Sequence, residues 1–102
     1  QPDLVVVADS GQVSDRGIEG TPLLAVEVLS PSTLSQDRHV KAQRYAAVGI
    51  PHYWLVDPDA RRMECYRLEA GAYRLVIEAE AQQVIAHPDW VELTIPLASL
   101  WR

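Results

Sequence analysis

Apolar residues follow a few distinct spacings along this chain, and the spacings alone divide it into elements. Residues 3–8 (DLVVVA) and 23–29 (LLAVEVL) are short, β-branched and almost unbroken in apolar character, the pattern of strands buried on both faces. Residues 9–22 between them hold Gly11, Gly17, Gly20 and Pro22, which predicts a loop. Ser30-Pro31-Ser32-Thr33 stops the second strand, and a helix is expected over about 35–48. Gly49 stands where a left-handed C-terminal residue is wanted, with Pro51 just beyond. Residues 52–57 (HYWLVD) predict a third strand, closed by the turn Asp57-Pro58-Asp59-Ala60. Residues 62–68 and 73–77 alternate polar with apolar around Glu69-Ala70-Gly71, as a half-exposed hairpin does. A last strand is expected near 91–95 and a helical turn at 97–101. A helix between two apolar strands suits a crossover, so the fold class is α/β, with a mixed β-sheet and a flanking helix.

Length and charge narrow this picture. The chain has 102 residues, enough for a single domain over 1–102. It starts at Gln1 without an initiating Met and runs at once into a strand, so the domain is expected to be truncated at its N-terminus. The single cysteine, Cys65, excludes an internal disulfide and a cysteine-rich zinc site. No apolar run reaches the roughly 18 residues of a membrane span, which leaves no membrane role and a cytoplasmic setting as the default. The net charge is -5, with nine Lys and Arg, which argues against a simple nucleic-acid coat protein. It leaves room for acidic groups that meet phosphate through a divalent metal.

Two carboxylates stand out by position. Asp3 opens one apolar strand and Glu27 lies inside another, where an ionised group is costly unless paired or metal-bound. On neighbouring strands they could hold one magnesium ion through oxygen ligands, with the Val28 carbonyl as a third. Glu27 turned outward on an edge, or paired with an arginine, stays open as the alternative. On a helix Asp37, Lys41, Tyr45 and Val48 share one face, which Tyr45 and Val48 mark as inward. Lys41 would then reach a phosphate or an attacking water near the sheet's end. A surface pair with Asp37 is the plainer reading. Ser30 and Ser32 are expected to cap the helix. Cys65, Tyr53 and Trp54 read as packing residues, and Arg61 and Arg62 as solvated turn residues. His39, His52 and His87 lack metal-ligand spacing and read as solvent-facing or capping.

Taken together, QPDLVVV, VEVLSPST and D-x-x-x-K-x-x-x-Y-A-x-x-G-I-P-H-Y-W-L-V-D-P resemble the Uma-two family of restriction-endonuclease-like proteins, within the PD-(D/E)xK nuclease-like superfamily. The resemblance covers nearly the whole chain. It implies a restriction-endonuclease-like core and magnesium-dependent hydrolysis of DNA. Pro2-Asp3 matches the PD motif and Glu27 the second acidic position. Leu29 stands where the superfamily pattern has lysine, and the resemblance moves that lysine to Lys41. The competing expectation is a catalytically inactive nuclease-fold module for interaction or oligomerisation. A shortened sheet with apolar edges would favour a homo-oligomer.

Overall fold

The computed structural model describes residues 4–7, 13–14, 17–18, 20–29, 35–90 and 94–97. Five strands form the main sheet in the order β1-β4-β5-β6-β7: β1 (Leu4–Val6), β4 (Leu24–Val28), β5 (His52–Asp57), β6 (Arg62–Glu69) and β7 (Ala72–Glu80). Between β1 and β4 a minimal antiparallel pair joins β2 (Val13–Ser14) to β3 (Gly17–Ile18). Those residues were expected to be loop, and two-residue strands carry no periodicity that could reveal them. Another short pair, β8 (Val84–Ala86) with β9 (Thr94–Pro96), follows the main sheet.

β4 runs parallel to β5, and every other pairing in the main sheet is antiparallel. The parallel pair needs a crossover, which α1 (Ser35–Ala47) supplies. The mixed sheet with one flanking helix is therefore the expected α/β architecture. Among the described residues no helix is long and apolar enough to cross a membrane.

The helix ends for a specific reason. Gly49 takes a φ of 82°, its N–H reaches the Ala46 carbonyl at 3.0 Å, and the Ile50 N–H reaches the Tyr45 carbonyl at 3.1 Å. This pair of bonds is the Schellman arrangement. It folds buried Ile50 back into the same core as Tyr45. The Tyr73 hydroxyl then donates to the Ile50 carbonyl at 2.7 Å, tying the β6–β7 hairpin to the helix end. In that hairpin both turn residues, Ala70 and Gly71, have positive φ, the combination that matches strand twist in a two-residue loop.

The sheet separates two cores. On the helix side Ala25, Tyr45, Ile50, Tyr53 and Leu55 are buried, with Leu29, Ala42, Tyr66 and Tyr73 against them. On the other side Leu24, Val26, Trp54, Met63, Cys65 and Ala79 pack with Ile85 and Leu97 from the terminal segment. Two expectations are corrected here. β1 is not buried on both faces: it is an edge strand, with Leu4 58% and Val6 40% exposed. Val48 does not face inward but is 61% exposed, because it follows the last helical residue and the chain is already turning.

Candidate active site

Glu27 is the fourth of five residues in β4, the strand flanked by β1 and β5. Alternation along the strand puts its side chain on the same side as Ala25, beneath α1. It is 4% exposed. A carboxylate so far from water must be matched by donors, and α1 supplies two. The Lys41 ammonium donates to Oε2 at 3.2 Å, and the buried Tyr45 hydroxyl donates to Oε1 at 2.5 Å. Lys41 and Tyr45 lie four residues apart, one helical turn, so a single face of α1 meets both oxygens of one acid. The Schellman bonds at the end of α1 hold the Tyr45 backbone in place.

The arrangement is not sealed. The Lys41 side chain is 31% exposed whereas that of Glu27 is 5% exposed, so solvent reaches the site from the lysine side. Glu27 lies near the C-terminal end of β4, where open α/β sheets place their ligands. A cleft of about 190 Å³, which Glu27 itself does not line, is bounded by Leu29, Leu55, Asp57, Ala60, Arg62 and Glu64. Leu55 is the residue that pairs with Glu27 across β4 and β5.

Of the expected site residues, Glu27 and Lys41 are in contact. Val28, the expected carbonyl ligand, ends β4 opposite Val56 and is 45% exposed. Asp3 lies outside the described residues. Leu4, the next residue in the chain, pairs with Val26, the residue before Glu27. Leu29 packs against the helix-side core, so the position where the superfamily pattern has lysine is a packing position here. Tyr45 was expected only to mark an inward helix face. Its hydroxyl bond to Glu27 is a contact that an aromatic at core spacing does not announce.

On the opposite side of the sheet a second group of polar residues converges. His52 on β5 lies with His87 and Asp89, and their candidate ligand atoms all fall within 4.8 Å of one another. Trp90 sits with its ring centroid 4.4 Å from both imidazoles. Arg67 donates to both Asp89 oxygens. These bonds hold the Asp89 carboxyl below its ordinary range. Burial lowers both histidines, partly offset by the Asp89 charge. The expectation of solvent-facing or capping histidines is corrected for His87, which is 2% exposed, and for His52, whose side chain is 12% exposed. The only local signal was His87-Pro88-Asp89; sheet pairing supplied His52. Side-chain placement of His39 lies outside the described residues. Cys65 is fully buried, as its alternating strand implied, and burial pushes its thiol up to about 12.

Comparison with known proteins adds three findings. A family model described as "Putative restriction endonuclease" matches residues 1–98. A solved structure titled as a putative nuclease belonging to DUF820, from Anabaena variabilis ATCC 29413, superposes with a TM-score of 0.62 at 19% identity. The match covers 89% of this chain and 54% of that one, so this chain spans about half that protein's length, and the likeness is one of fold. No curated protein matches.

Proposed function

The chain belongs to the Uma2 family of putative restriction endonucleases, and from that premise we propose that it is a metal-dependent endonuclease acting on DNA phosphodiester bonds. The observation that carries this reading is the buried Glu27 held between Lys41 and Tyr45. Glu27 offers only oxygen, and its Oε2 partner is a half-buried lysine that can move outward. Hard oxygen donors of this kind suit magnesium better than a softer ion. Asp3, Glu27 and the Val28 carbonyl would hold it. When bound, magnesium supplies a water of lowered pKa and neutralises charge on a phosphoryl oxygen.

The remaining work falls to the chain's own residues. Tyr45 fixes the Glu27 carboxylate through Oε1, so that Oε2 faces the solvent side. Lys41 places an ammonium beside the same carboxylate, where it can donate to a phosphate oxygen as negative charge develops. Because Leu29 replaces the superfamily lysine, Lys41 is the cation this reading depends on.

Two observations favour a second reading, a nuclease fold retained as a non-catalytic interaction module. Both Glu27 oxygens are already satisfied from within the chain, and the net charge of -5 opposes DNA. Plasmid cleavage with Mg²⁺ or Mn²⁺ tests the first reading, together with Asp3→Ala, Glu27→Gln and Lys41→Ala. Each variant should lose cleavage while keeping its circular dichroism. Undiminished cleavage by Glu27→Gln would refute the nuclease site. A calorimetric Mn²⁺ site that disappears in Glu27→Gln would refute the inert module.

A further inference from the structure

We propose that His52, His87 and Asp89 form a binding site for one divalent transition-metal ion of the zinc class, on the side of the sheet opposite Glu27. The proposal stands apart from the nuclease reading and does not depend on it.

Separation is the first argument. His52 Nδ1 lies 3.7 Å from Asp89 Oδ2, too far for a hydrogen bond. Two ligands of one zinc ion, each bonded at about 2.0–2.1 Å, stand roughly 3.3–3.7 Å apart across a tetrahedral or slightly opened angle. The observed gap therefore already fits a shared ion. The His87 nitrogen, within 4.8 Å of the other two atoms, would close by about 1 Å to complete three protein ligands around such an ion.

Unsatisfied polarity is the second argument. Among the described residues His52 Nδ1 is buried without a hydrogen-bond partner. A buried polar atom left in that state costs about 1–3 kcal/mol. His52 Nδ1 faces a carboxylate yet makes no bond to it, and a cation between them would satisfy both. His87 Nδ1 accepts the Asp89 N–H at 3.0 Å, so it carries a lone pair directed toward Asp89. Coordination there exchanges one backbone hydrogen bond for a metal bond.

The surroundings fit the assignment. Ligating carboxylates are themselves hydrogen-bonded in metal sites, and Arg67 already donates to both Asp89 oxygens. Trp54 and Trp90 wall the histidines from water, Trp54 stacking on His87 with centroids 5.6 Å apart. The Asp89 side chain is 25% exposed, which gives an ion a way in. Two imidazoles and one carboxylate select zinc, cobalt or nickel over magnesium, which distinguishes this site from the all-oxygen one around Glu27.

Trp90 makes the test simple. A Co²⁺ ion between His52 and His87 would quench tryptophan fluorescence, and Zn²⁺ would displace it and restore the signal. The metal-free protein is titrated with Co²⁺ alone, then with Zn²⁺, alongside His52→Gln, Asp89→Asn and Glu27→Gln. The expected result is one equivalent bound, weakened at least tenfold in His52→Gln and Asp89→Asn and unchanged in Glu27→Gln. Circular dichroism of the metal-free variants shows whether they remain folded. If Asp89→Asn does not fold, His52→Gln, on a partly exposed ring, decides alone. No quenching in the parent protein overturns the proposal. So does equal binding by His52→Gln, or loss of binding in Glu27→Gln, which would place the ion at the other acid.

Discussion

Replacing Lys41 by Met keeps the aliphatic stem and deletes the charge that meets Glu27. The carboxylate is 4% exposed and, among the described residues, would retain only the Tyr45 hydroxyl, on Oε1. Removing one partner from a buried ion pair costs about 3–5 kcal/mol, because the remaining charge stays desolvated. Here the lysine side chain is 31% exposed, so water can reach the vacated Oε2, and the cost falls to about 2 kcal/mol. In a domain of this size that loss lowers Tm by about 8–16 °C. The same Lys41→Met change in a Glu27→Gln background should cost less than about 0.5 kcal/mol, since no buried charge is stranded. Glu27→Gln alone should be nearly neutral, because the amide oxygen still accepts from Tyr45 and the ammonium is released to solvent. Urea unfolding in EDTA, followed by tryptophan fluorescence, measures all four corners of this cycle. A Lys41→Met cost equal in both backgrounds would refute the argument that the lysine acts through the Glu27 charge.

Other consequences are independent of that pair. The Cys65 thiol, raised from 9.0 to about 12 by burial, should resist alkylation in the native protein at pH 8 and react at once in urea. Its raised pKa makes the folded state bind the extra proton, so its share of stability is complete below pH 9 and declines as pH rises toward 12. Rapid native labelling at pH 8 would show that Cys65 is not buried. Gly49→Ala should destabilise by about 1–2 kcal/mol in urea unfolding. Its φ is 82° and, among the described residues, no atom lies within 4 Å of an added Cβ, so the cost is one of backbone conformation. A neutral effect would mean the helix does not end in the arrangement described. Tyr45→Phe should destabilise by about 1.5–3 kcal/mol, the loss of a hydrogen bond to a charged acceptor, and denaturant midpoints would reveal a smaller cost.

The five strands of the main sheet and the helix were legible because each rests on local chemistry, whereas β2, β3 and β8 were not. The residues 52–57 appear as one strand with those bounds, and Gly49 and Pro51 mark a true helix end. Exposure was not legible. The run at 3–8 looks as apolar as that at 23–29, yet β1 lies at the edge and β4 in the interior, and only sheet order distinguishes them. Convergence of Lys41 on Glu27 could be anticipated, because the crossover helix after a parallel strand must return over the sheet. Tyr45 completing the carboxylate's contacts could not, since a tyrosine at core spacing looks the same whether or not its hydroxyl has a partner.

The histidine cluster escaped for a different reason, one that also explains why the chain can hold two polar centres so close together. β5 alternates strictly: His52 and Trp54 join the far side, while Tyr53 and Leu55 join the helix side. Its parallel register with β4 sets Leu55 beside Glu27, and its antiparallel register with β6 sets His52 beside Arg67, which fixes Asp89. One strand thus supplies the apolar wall of one centre and a ligand-bearing ring to the other, with the thickness of the sheet between them. A slip of one residue in β5 would exchange the two faces and dismantle both centres at once. Register is a property of paired strands, so no reading of residues 52–57 by themselves could have placed His52 opposite Arg67.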